Sequence, residues 1–215
     1  MLGILCGLHA EAKIADKISG AHVVCAAAVP QKARTLARGL IEKGATRLMS
    51  FGLAGALDPA LPVGSLVIGR KVVAPGGNWM CDPAWAEDLL RATPAAQHGD
   101  VWGSEVLVPT AVEKSALHKN TGCAIVDMES QCAAEVANEV GVPLAVVRVV
   151  CDEANHNVPM LVMDAINPDG STNYARVLAG LFKAPLQTFD LITVGRSMNR
   201  AFHVLDSFAA KYQNG

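Results

Sequence analysis

Three acidic residues stand at points of the sequence where a strand is expected to end or a helix to begin. Asp152 follows Leu144–Val150, an aliphatic run typical of a strand that is buried on both faces. Glu129 stands at the expected start of a helix, and Glu11 follows the short apolar run Gly3–Cys6. Ligands of open α/β sheets bind at the carboxyl ends of the strands. The pattern therefore predicts a polar site whose chemistry depends on carboxylates.

Each of these acids has a functional and a structural interpretation. Because Val150 and Cys151 are apolar, burial would favour the protonated form of Asp152, a candidate general acid toward a leaving-group nitrogen; a helix cap or loop aspartate is the alternative. Glu129 is able to accept two hydrogen bonds from a vicinal diol such as ribose, or it stabilises the positive end of a helix dipole. Glu11 is a candidate general base for water, or a solvated residue of the first helix.

Two glycine-containing segments are candidates for ligand contact. Gly52–Leu57 follows the third expected strand, and its small residues allow backbone N–H groups to approach an anion or a ligand. The segment lacks the lysine, the hydroxyl residues and the glycine spacing of phosphate-binding loops. Pro75–Met80 is a candidate lid over an apolar ligand, or a turn whose Trp79 fills the core. The cysteines, histidines and acids show no metal-ligand spacing, so no metal or cofactor is expected.

Composition restricts the class of protein. Of the 215 residues 51% are apolar and 18% are charged, yet no apolar run is long enough to span a membrane. The net charge is −2 without a basic stripe, which argues against nucleic acid as a partner. Six cysteines in mostly apolar runs and an N-terminus without a basic leader predict a cytoplasmic protein with reduced thiols. A large buried sheet, an oligomer interface or an apolar ligand would account for the apolar excess.

Apolar strand patterns alternate with helical ones, which predicts an α/β fold of one domain, residues 1–215. The last helix, from about 188 to 212, has one apolar face that includes Leu205. The expected strands are 3–6, 22–28, 47–51, 65–73, 101–108, 123–126 and 144–150, and the expected helices are 10–18, 30–43, 82–91, 110–118, 130–140, 173–182 and 188–212.

Together these pieces resemble the nucleoside phosphorylase/nucleosidase superfamily, which contains purine nucleoside phosphorylases and methylthioadenosine/S-adenosylhomocysteine nucleosidase. The resemblance covers most of residues 1–155 and implies a single-domain, three-layer α/β/α fold with a central mixed sheet. Further along, Asn167–Gly170 and Leu191–Arg196 are similar to the hopanoid-associated phosphorylase branch. The motifs that carry the resemblance are Gly3–Gly7 with Glu11, Gly52–Leu57 with Val63–Val67, Asp127–Glu129 and Arg148–Asp152.

The resemblance also implies a role for each motif residue. Asp152 would protonate the purine N7, and Glu11 would orient and deprotonate the attacking water. Glu129 would hold the ribose hydroxyls, with Met128 packed against the sugar. The reaction would pass through an oxocarbenium-like sugar that nearby carboxylates stabilise, as in glycosidases. The remaining substrate-binding residues that the resemblance implies are Cys151, Gly55, Ala54 and Leu107.

The sequence departs from the family pattern at three places. Leu53 stands where the family often has a serine that helps to bind phosphate or the nucleophile, which puts phosphorolysis in doubt. Cys151 stands where serine is frequent. Gly103–Val108 has aliphatic but no aromatic side chains where an aromatic stacking partner is usual. If phosphate is the nucleophile, the candidate anion ligands are the Gly52–Gly55 backbone and Arg34 or Arg47.

The leading prediction is an enzyme that cleaves the N-glycosidic bond of an adenine nucleoside with a large apolar 5′ substituent. Within the resembled branch, this substrate is adenosylhopane in hopanoid biosynthesis, and water or phosphate is the only co-substrate. A methylthioadenosine/S-adenosylhomocysteine-type nucleosidase, a purine nucleoside phosphorylase and a non-catalytic nucleoside- or lipid-binding protein are the alternatives. The resemblance also implies a homo-oligomer. A hopanoid substrate would bring the protein to the inner membrane, with the C-terminal helix and the Trp79 loop as candidate contacts.

Overall fold

Strands and helices alternate along the chain, as the apolar pattern predicts. The computed structural model describes residues 1–27, 29–158 and 188–212. Within these ranges the elements are β1 (Leu2–Cys6), α1 (His9–Ala15), β2 (Ala21–Cys25), α2 (Pro30–Glu42), β3 (Arg47–Ala56), β4 (Leu66–Ala74), β5 (Gly77–Met80), α3 (Pro83–Ala92), β6 (Gln97–Gly103), α4 (Ala111–Thr121), β7 (Ile125–Asp127), α5 (Ser130–Val140), β8 (Leu144–Asp152) and α6 (Thr188–Tyr212).

The strands form one mixed sheet with a closed part. Strands β2, β1, β3 and β8 are parallel neighbours, whereas β4 runs antiparallel to β8. Strands β6 and β7 are parallel to β4, and β7 pairs antiparallel with the end of β3. The pairings β3–β7–β6–β4–β8–β3 therefore close a ring, from which β1 and β2 extend. The carboxyl ends of β1, β3 and β8 lie at one edge of this sheet.

Strand register brings the motif residues into contact at this edge. Gly52 of β3 lies opposite Arg148 of β8, and Gly55 lies opposite Asp152. The register shifts between Ala54 and Gly55. Bulges of this kind re-aim side chains and are frequent beside active sites. The end of β8 is thus held against small residues of β3.

Alternate residues of the central strands face two different helix layers, because successive side chains of a strand point to opposite faces. One core lies under α2 and α5, and the other lies under α1, α3 and α6. This arrangement confirms the expected three-layer α/β/α fold with a central mixed sheet. The first core contains Leu5, Leu48 and Val146, and the second contains their chain neighbours Ile4, Met49 and Val147.

Local signals set the helix ends. The Asp82 carboxylate accepts a hydrogen bond from the Trp85 N–H at 2.8 Å, directly before Pro83, and so begins α3. Thr110 and Glu113 cap each other's backbone N–H groups at the start of α4. Helices α4 and α5 both end at a glycine with a positive φ of 70°. These starts and the end of α5 at Val140 agree with the sequence-based prediction.

The expected loop Gly52–Leu57 is instead largely strand, since β3 continues to Ala56. Its glycines lower the strand propensity of the sequence, but β8 and β7 supply hydrogen-bond partners on both sides. The expected loop 75–78 is in part the turn of a β4–β5 hairpin: the turn lies at 75–76, as predicted, whereas Gly77 and Asn78 already pair with β4. The sequence prediction was wrong for the strand residues of both segments because pairing with neighbours, rather than local composition, determines these strands.

Strand β6 begins four residues earlier than predicted. It covers Gln97–Gly103 rather than 101–108, because the polar residues Gln97 and His98 pair with β4. After Gly103 the chain leaves the sheet, and the Ser104 hydroxyl donates to the Val106 carbonyl at 2.6 Å. The apolar residues from 106 to 108 are thereby released from the sheet to other contacts.

Helix α6 has the predicted boundaries, and its apolar face packs on the second core. Leu205 is buried there, and Met198, Phe202 and Tyr212 pack beside it. The C-terminal amphipathic helix, considered above as a candidate membrane contact, thus covers its own sheet with its apolar face. No helix of the described residues is long and apolar enough to cross a membrane. The expected helix 173–182 lies outside the described residues.

Candidate active site

A cavity of about 380 Å³ opens at the carboxyl edge of β1, β3 and β8. All three predicted carboxylates, Glu11, Glu129 and Asp152, line it. A second depression of about 490 Å³ on the outer face of α6 is shallower and contains none of them. The structure thus brings the sequence-predicted acids together in one place. The cavity wall also contains Met128, Cys151, Gly55, Ala54 and Leu107.

Glu11 accepts hydrogen bonds from backbone N–H groups that follow β1 and from one within β3. One carboxylate oxygen accepts hydrogen bonds from the N–H groups of Gly7 and Leu8, both at 2.8 Å, and the other accepts from the Leu53 N–H at 2.8 Å. A Cβ atom at Gly52 would lie 2.5 Å from the Glu11 carboxyl carbon, so only glycine leaves room for this arrangement. Burial raises the pKa of Glu11, although Arg148 and the three N–H groups oppose the shift.

Glu129 is the second buried carboxylate, and its side chain lies over Gly7. A Cβ at Gly7 would approach a Glu129 oxygen to 2.6 Å. Burial raises the pKa of Glu129 to about 8, with Asp127 and Glu11 adding to the shift and Arg148 opposing it.

Asp127, rather than Glu129, caps the start of α5 with its side chain. One Asp127 oxygen accepts from the backbone N–H groups of Glu129 at 3.0 Å and Ser130 at 2.7 Å. The Glu129 side chain makes no cap hydrogen bond to α5. Its carboxylate is therefore available to the cavity.

Arg148 is fully buried and joins these acids. Its Nε lies 2.9 Å from an Asp127 oxygen, and its Nη2 lies 3.2 Å from a Glu129 oxygen. It also donates to the Leu53 carbonyl at 3.1 Å and to the Ser50 hydroxyl at 2.6 Å. Sequence reasoning gave Arg148 no role, although a lone cation inside an aliphatic strand must be paired if that strand is buried.

Asp152, at the end of β8, forms an ion pair with Lys114 of α4. The Lys114 side chain is fully buried, whereas 27% of the Asp152 side chain is exposed. The other Asp152 oxygen lies 3.6 Å from the Cys151 sulfur. The sequence interpretation considered only the apolar neighbours of Asp152 and missed Lys114. No sequence signal distinguishes this lysine, because it stands in the polar stretch Glu113–Ser115.

The outer wall of the cavity is mostly apolar. The segment between β6 and α4 contributes Val106, Leu107 and Val108, and α6 contributes Val194 and Met198. Leu107 and Val106 are 42% and 68% exposed, so this wall reaches the surface. A ligand would thus have its polar end among the carboxylates and an apolar end toward the opening.

Three other candidate residues do not line the cavity. Arg34 forms ion pairs with Glu135 and Glu105, and the Arg47 guanidinium lies 4.9 Å from the centre of the Trp85 ring. Trp79, considered as part of a lid, packs against the first core. The two arginines are therefore engaged elsewhere, and the Trp79 segment has the structural role that was its alternative interpretation.

Several solved nucleosidase structures share this fold. Futalosine hydrolase of Helicobacter pylori has a TM-score of 0.74 at 14% identity, covering 99% of this chain and 97% of that one. The 5′-methylthioadenosine/S-adenosylhomocysteine nucleosidase of the same organism has a TM-score of 0.73 at 15% identity, covering 99% of this chain and 97% of that one. The corresponding nucleosidase of Colwellia psychrerythraea, in complex with adenine, has a TM-score of 0.68 at 16% identity, covering 82% of this chain and 92% of that one.

No curated protein sequence is significantly similar to this chain. The family model of the phosphorylase superfamily, however, matches residues 19–183, which is more than half of the sequence. Enzymes homologous in this way hydrolyse or phosphorolyse N-glycosidic bonds. With the shared fold and the carboxylate-lined cavity at the carboxyl edge of its sheet, the chain belongs to the phosphorylase superfamily.

Proposed function

We propose that this protein hydrolyses the N-glycosidic bond of an adenine nucleoside that carries a large apolar group at its 5′ carbon. The observation that carries the proposal is the meeting of three carboxylates, Glu11, Glu129 and Asp152, in one cavity whose outer wall is apolar. Each carboxylate has a different environment, so each is suited to a different step of the reaction.

Glu11 is proposed to orient and deprotonate the attacking water. The N–H groups of Gly7, Leu8 and Leu53 fix both of its oxygens, which holds the base in one geometry. Because burial raises the pKa of Glu11, its carboxylate is a stronger base than one in water.

Glu129 is proposed to bind the ribose, and Met128 beside it to pack against the sugar. The two oxygens of a carboxylate match the two hydroxyls of a vicinal diol. As the bond to the base breaks, positive charge develops on the sugar ring, and the carboxylates on the cavity wall stabilise it. Arg148 holds Glu129 in place for this contact.

Asp152, whose side chain is 27% exposed, is proposed to take up a proton from solvent and then to give it to N7 of the purine while the bond between the anomeric carbon and the base breaks. The bonding electrons pass to the purine, which then leaves as a neutral base. Cys151, Ala54 and Gly55 line the same part of the cavity and would contact the base.

Water is favoured over phosphate as the nucleophile. Leu53 provides a backbone N–H but no hydroxyl, and that N–H already binds Glu11. Arg148 is engaged by Asp127, Glu129 and the Leu53 carbonyl. A phosphate ion would meet several carboxylates and no uncommitted arginine among the described residues that line the cavity.

The apolar outer wall supports a substrate with a large apolar 5′ group. Val106, Leu107, Val108, Val194 and Met198 all line the cavity, so an aliphatic chain would bury apolar surface against them. Adenosylhopane, a nucleoside of hopanoid biosynthesis, has such a group and is the substrate that we propose.

Mass spectrometry of the products tests the proposal. The purified protein is incubated with adenosylhopane and with methylthioadenosine, each with and without phosphate. We expect free adenine and a free sugar hemiacetal from adenosylhopane under both conditions. A sugar 1-phosphate formed only with phosphate would identify a phosphorylase, and a preference for methylthioadenosine would identify the shorter substrate. Ligand binding without release of adenine would contradict an enzymatic function.

A further inference from the structure

Lys114 is a buried cation that the proposed steps do not use. Its side chain has no exposed surface, and a lysine is rarely buried so completely unless it is paired. The ammonium group has three N–H donors. It contacts the Asp152 carboxylate and donates to the carbonyl oxygens of Glu153 and His156, each at 3.0 Å. All three donors are therefore used.

The partners of Lys114 all belong to one wall of the cavity. Asp152, Glu153 and His156 line it and follow one another at the carboxyl end of β8. Lys114 itself stands in the first turn of α4, whose start is fixed by the capping box of Thr110 and Glu113. A rigid helix terminus thus holds the segment that carries the proposed general acid.

These contacts give the two Asp152 oxygens different surroundings. Oδ2 faces Lys114, while Oδ1 lies 3.6 Å from the Cys151 sulfur. The carboxylate also lies over Gly55, where a Cβ atom would approach the two oxygens to 3.1 and 3.2 Å. With one oxygen held by the ammonium group, Oδ1 remains the oxygen available to a ligand in the cavity.

Stability alone does not explain a buried lysine at this place. An apolar residue of similar volume often replaces a buried ion pair without loss of stability, since both charges must otherwise be desolvated. An ammonium beside Asp152 does have a chemical effect. When Asp152 gives up its proton it becomes a carboxylate, and a fixed positive charge stabilises the charge that develops there.

We propose that Lys114 is a positioning residue for Asp152, which presents Oδ1 to the purine and stabilises the carboxylate that forms as the proton moves to N7. This inference rests on the proposed function, because it concerns the same bond cleavage. It adds a residue from α4 to the site and predicts that Lys114 matters only for leaving groups that need a proton.

The test compares two leaving groups in the full-length Lys114→Met variant. The nucleoside is whichever of adenosylhopane and methylthioadenosine the wild type cleaves, and the second substrate is 4-nitrophenyl riboside, whose leaving group needs no proton. We expect kcat on the nucleoside to fall about 100-fold, the size of a general-acid contribution, with KM within about threefold. On the nitrophenyl riboside kcat should stay within about threefold of the wild type, given that no proton transfer is lost.

Two further variants keep the test decisive. Lys119→Met, on the exposed face of the same helix, should leave both activities unchanged. Lys114→Gln, which keeps a donor but no charge, should show the same selective loss if Lys114→Met does not fold. Equal losses on both substrates, or a nucleoside kcat within threefold of the wild type, would overturn the inference while leaving the proposed function standing. A wild type that is inactive on both nucleosides, adenosylhopane and methylthioadenosine, would contradict the proposed function and this inference together.

Discussion

Asp152 is the residue on which the proposed departure of the base depends. Replacing it by asparagine removes the proton but keeps the size of the side chain. We therefore expect Asp152→Asn to lower the rate of adenine release by about a thousandfold, within the range of general-acid catalysis. Release of adenine is measured by chromatography, and the melting temperature shows whether the fold is intact. Asp206→Asn, at an exposed ion pair with Lys17, serves as the control and should be fully active.

Near-wild-type turnover of Asp152→Asn would contradict the mechanism proposed for this residue. Loss of Asp152 removes the proton itself, whereas loss of Lys114 leaves a carboxyl group that is less well placed. The Asp152 variant should accordingly be the more severely impaired of the two on a purine nucleoside.

Glu129 makes the stability of the protein depend on pH in a defined direction. Its pKa is raised from 4.5 to about 8 in the folded protein, mainly by burial. Between these two values the folded state binds the proton more tightly than the unfolded state does. The stabilisation is present in full below about pH 4.5 and is lost as the pH rises through about 8.

This dependence is measured by urea unfolding at intervals between pH 5 and pH 9, which gives the free energy of unfolding at each pH. In the wild type that free energy should fall toward pH 9. The Glu129→Gln variant cannot ionise at this position, so its stability should fall less steeply over the same range. Parallel pH profiles for the two proteins would show that Glu129 does not titrate in this range.

Gly7, directly after β1, packs closely against the Glu129 carboxylate and is therefore sensitive to substitution. A Cβ atom there would lie 2.6 Å from a Glu129 oxygen, so the carboxylate would have to move. Gly7→Ala should therefore raise KM for the nucleoside several-fold. Gly39, within α2, has no atom within 4 Å of the position of an added Cβ. Gly39→Ala should stabilise α2 by about 0.5–1 kcal/mol and leave KM unchanged. Steady-state kinetics on both variants would decide, and an unchanged KM for Gly7→Ala would contradict the argument.

Elements could be predicted from the sequence where their signals are local. The N-caps Asp82 and Thr110 and the glycine after α5 gave helix ends that agree with the structure. The extension of β3 through Gly52 could not be predicted, because it depends on hydrogen bonds from β7 and β8. The same distinction holds for the site. Family motifs located Glu11, Glu129 and Asp152, but Lys114 reaches Asp152 only through the packing of α4, which no local pattern encodes.

The cavity depends on parts of the chain that are far apart in sequence. Its polar floor comes from the ends of β1, β3 and β8, while α6 and the segment around Leu107 form the opening. Because the apolar face of α6 packs on the second core, that face is not free for a membrane. A homo-oligomer and a cytoplasmic location with contact at the inner membrane stay predictions.

Because α6 lines the cavity, we expect it to select the 5′ group of the substrate, while the carboxylates bind the nucleoside. Val194 of α6 lines the cavity, and we propose that the apolar 5′ group of the substrate lies against it. Val194→Asn places a polar amide there, which an aliphatic chain would have to desolvate on binding. We expect KM for adenosylhopane to rise about tenfold, corresponding to about 1.4 kcal/mol of lost binding, with kcat unchanged.

The matched control for Val194→Asn is Val112→Asn, at an 80% exposed position of α4 that does not line the cavity. Its kinetics should equal those of the wild type. For methylthioadenosine, whose 5′ group is short, Val194→Asn should change KM less than twofold, since that group does not reach the outer wall. Equal increases in KM for the long and the short substrate would mean that α6 acts on the nucleoside itself. The 5′ group would then have to leave the cavity by another path.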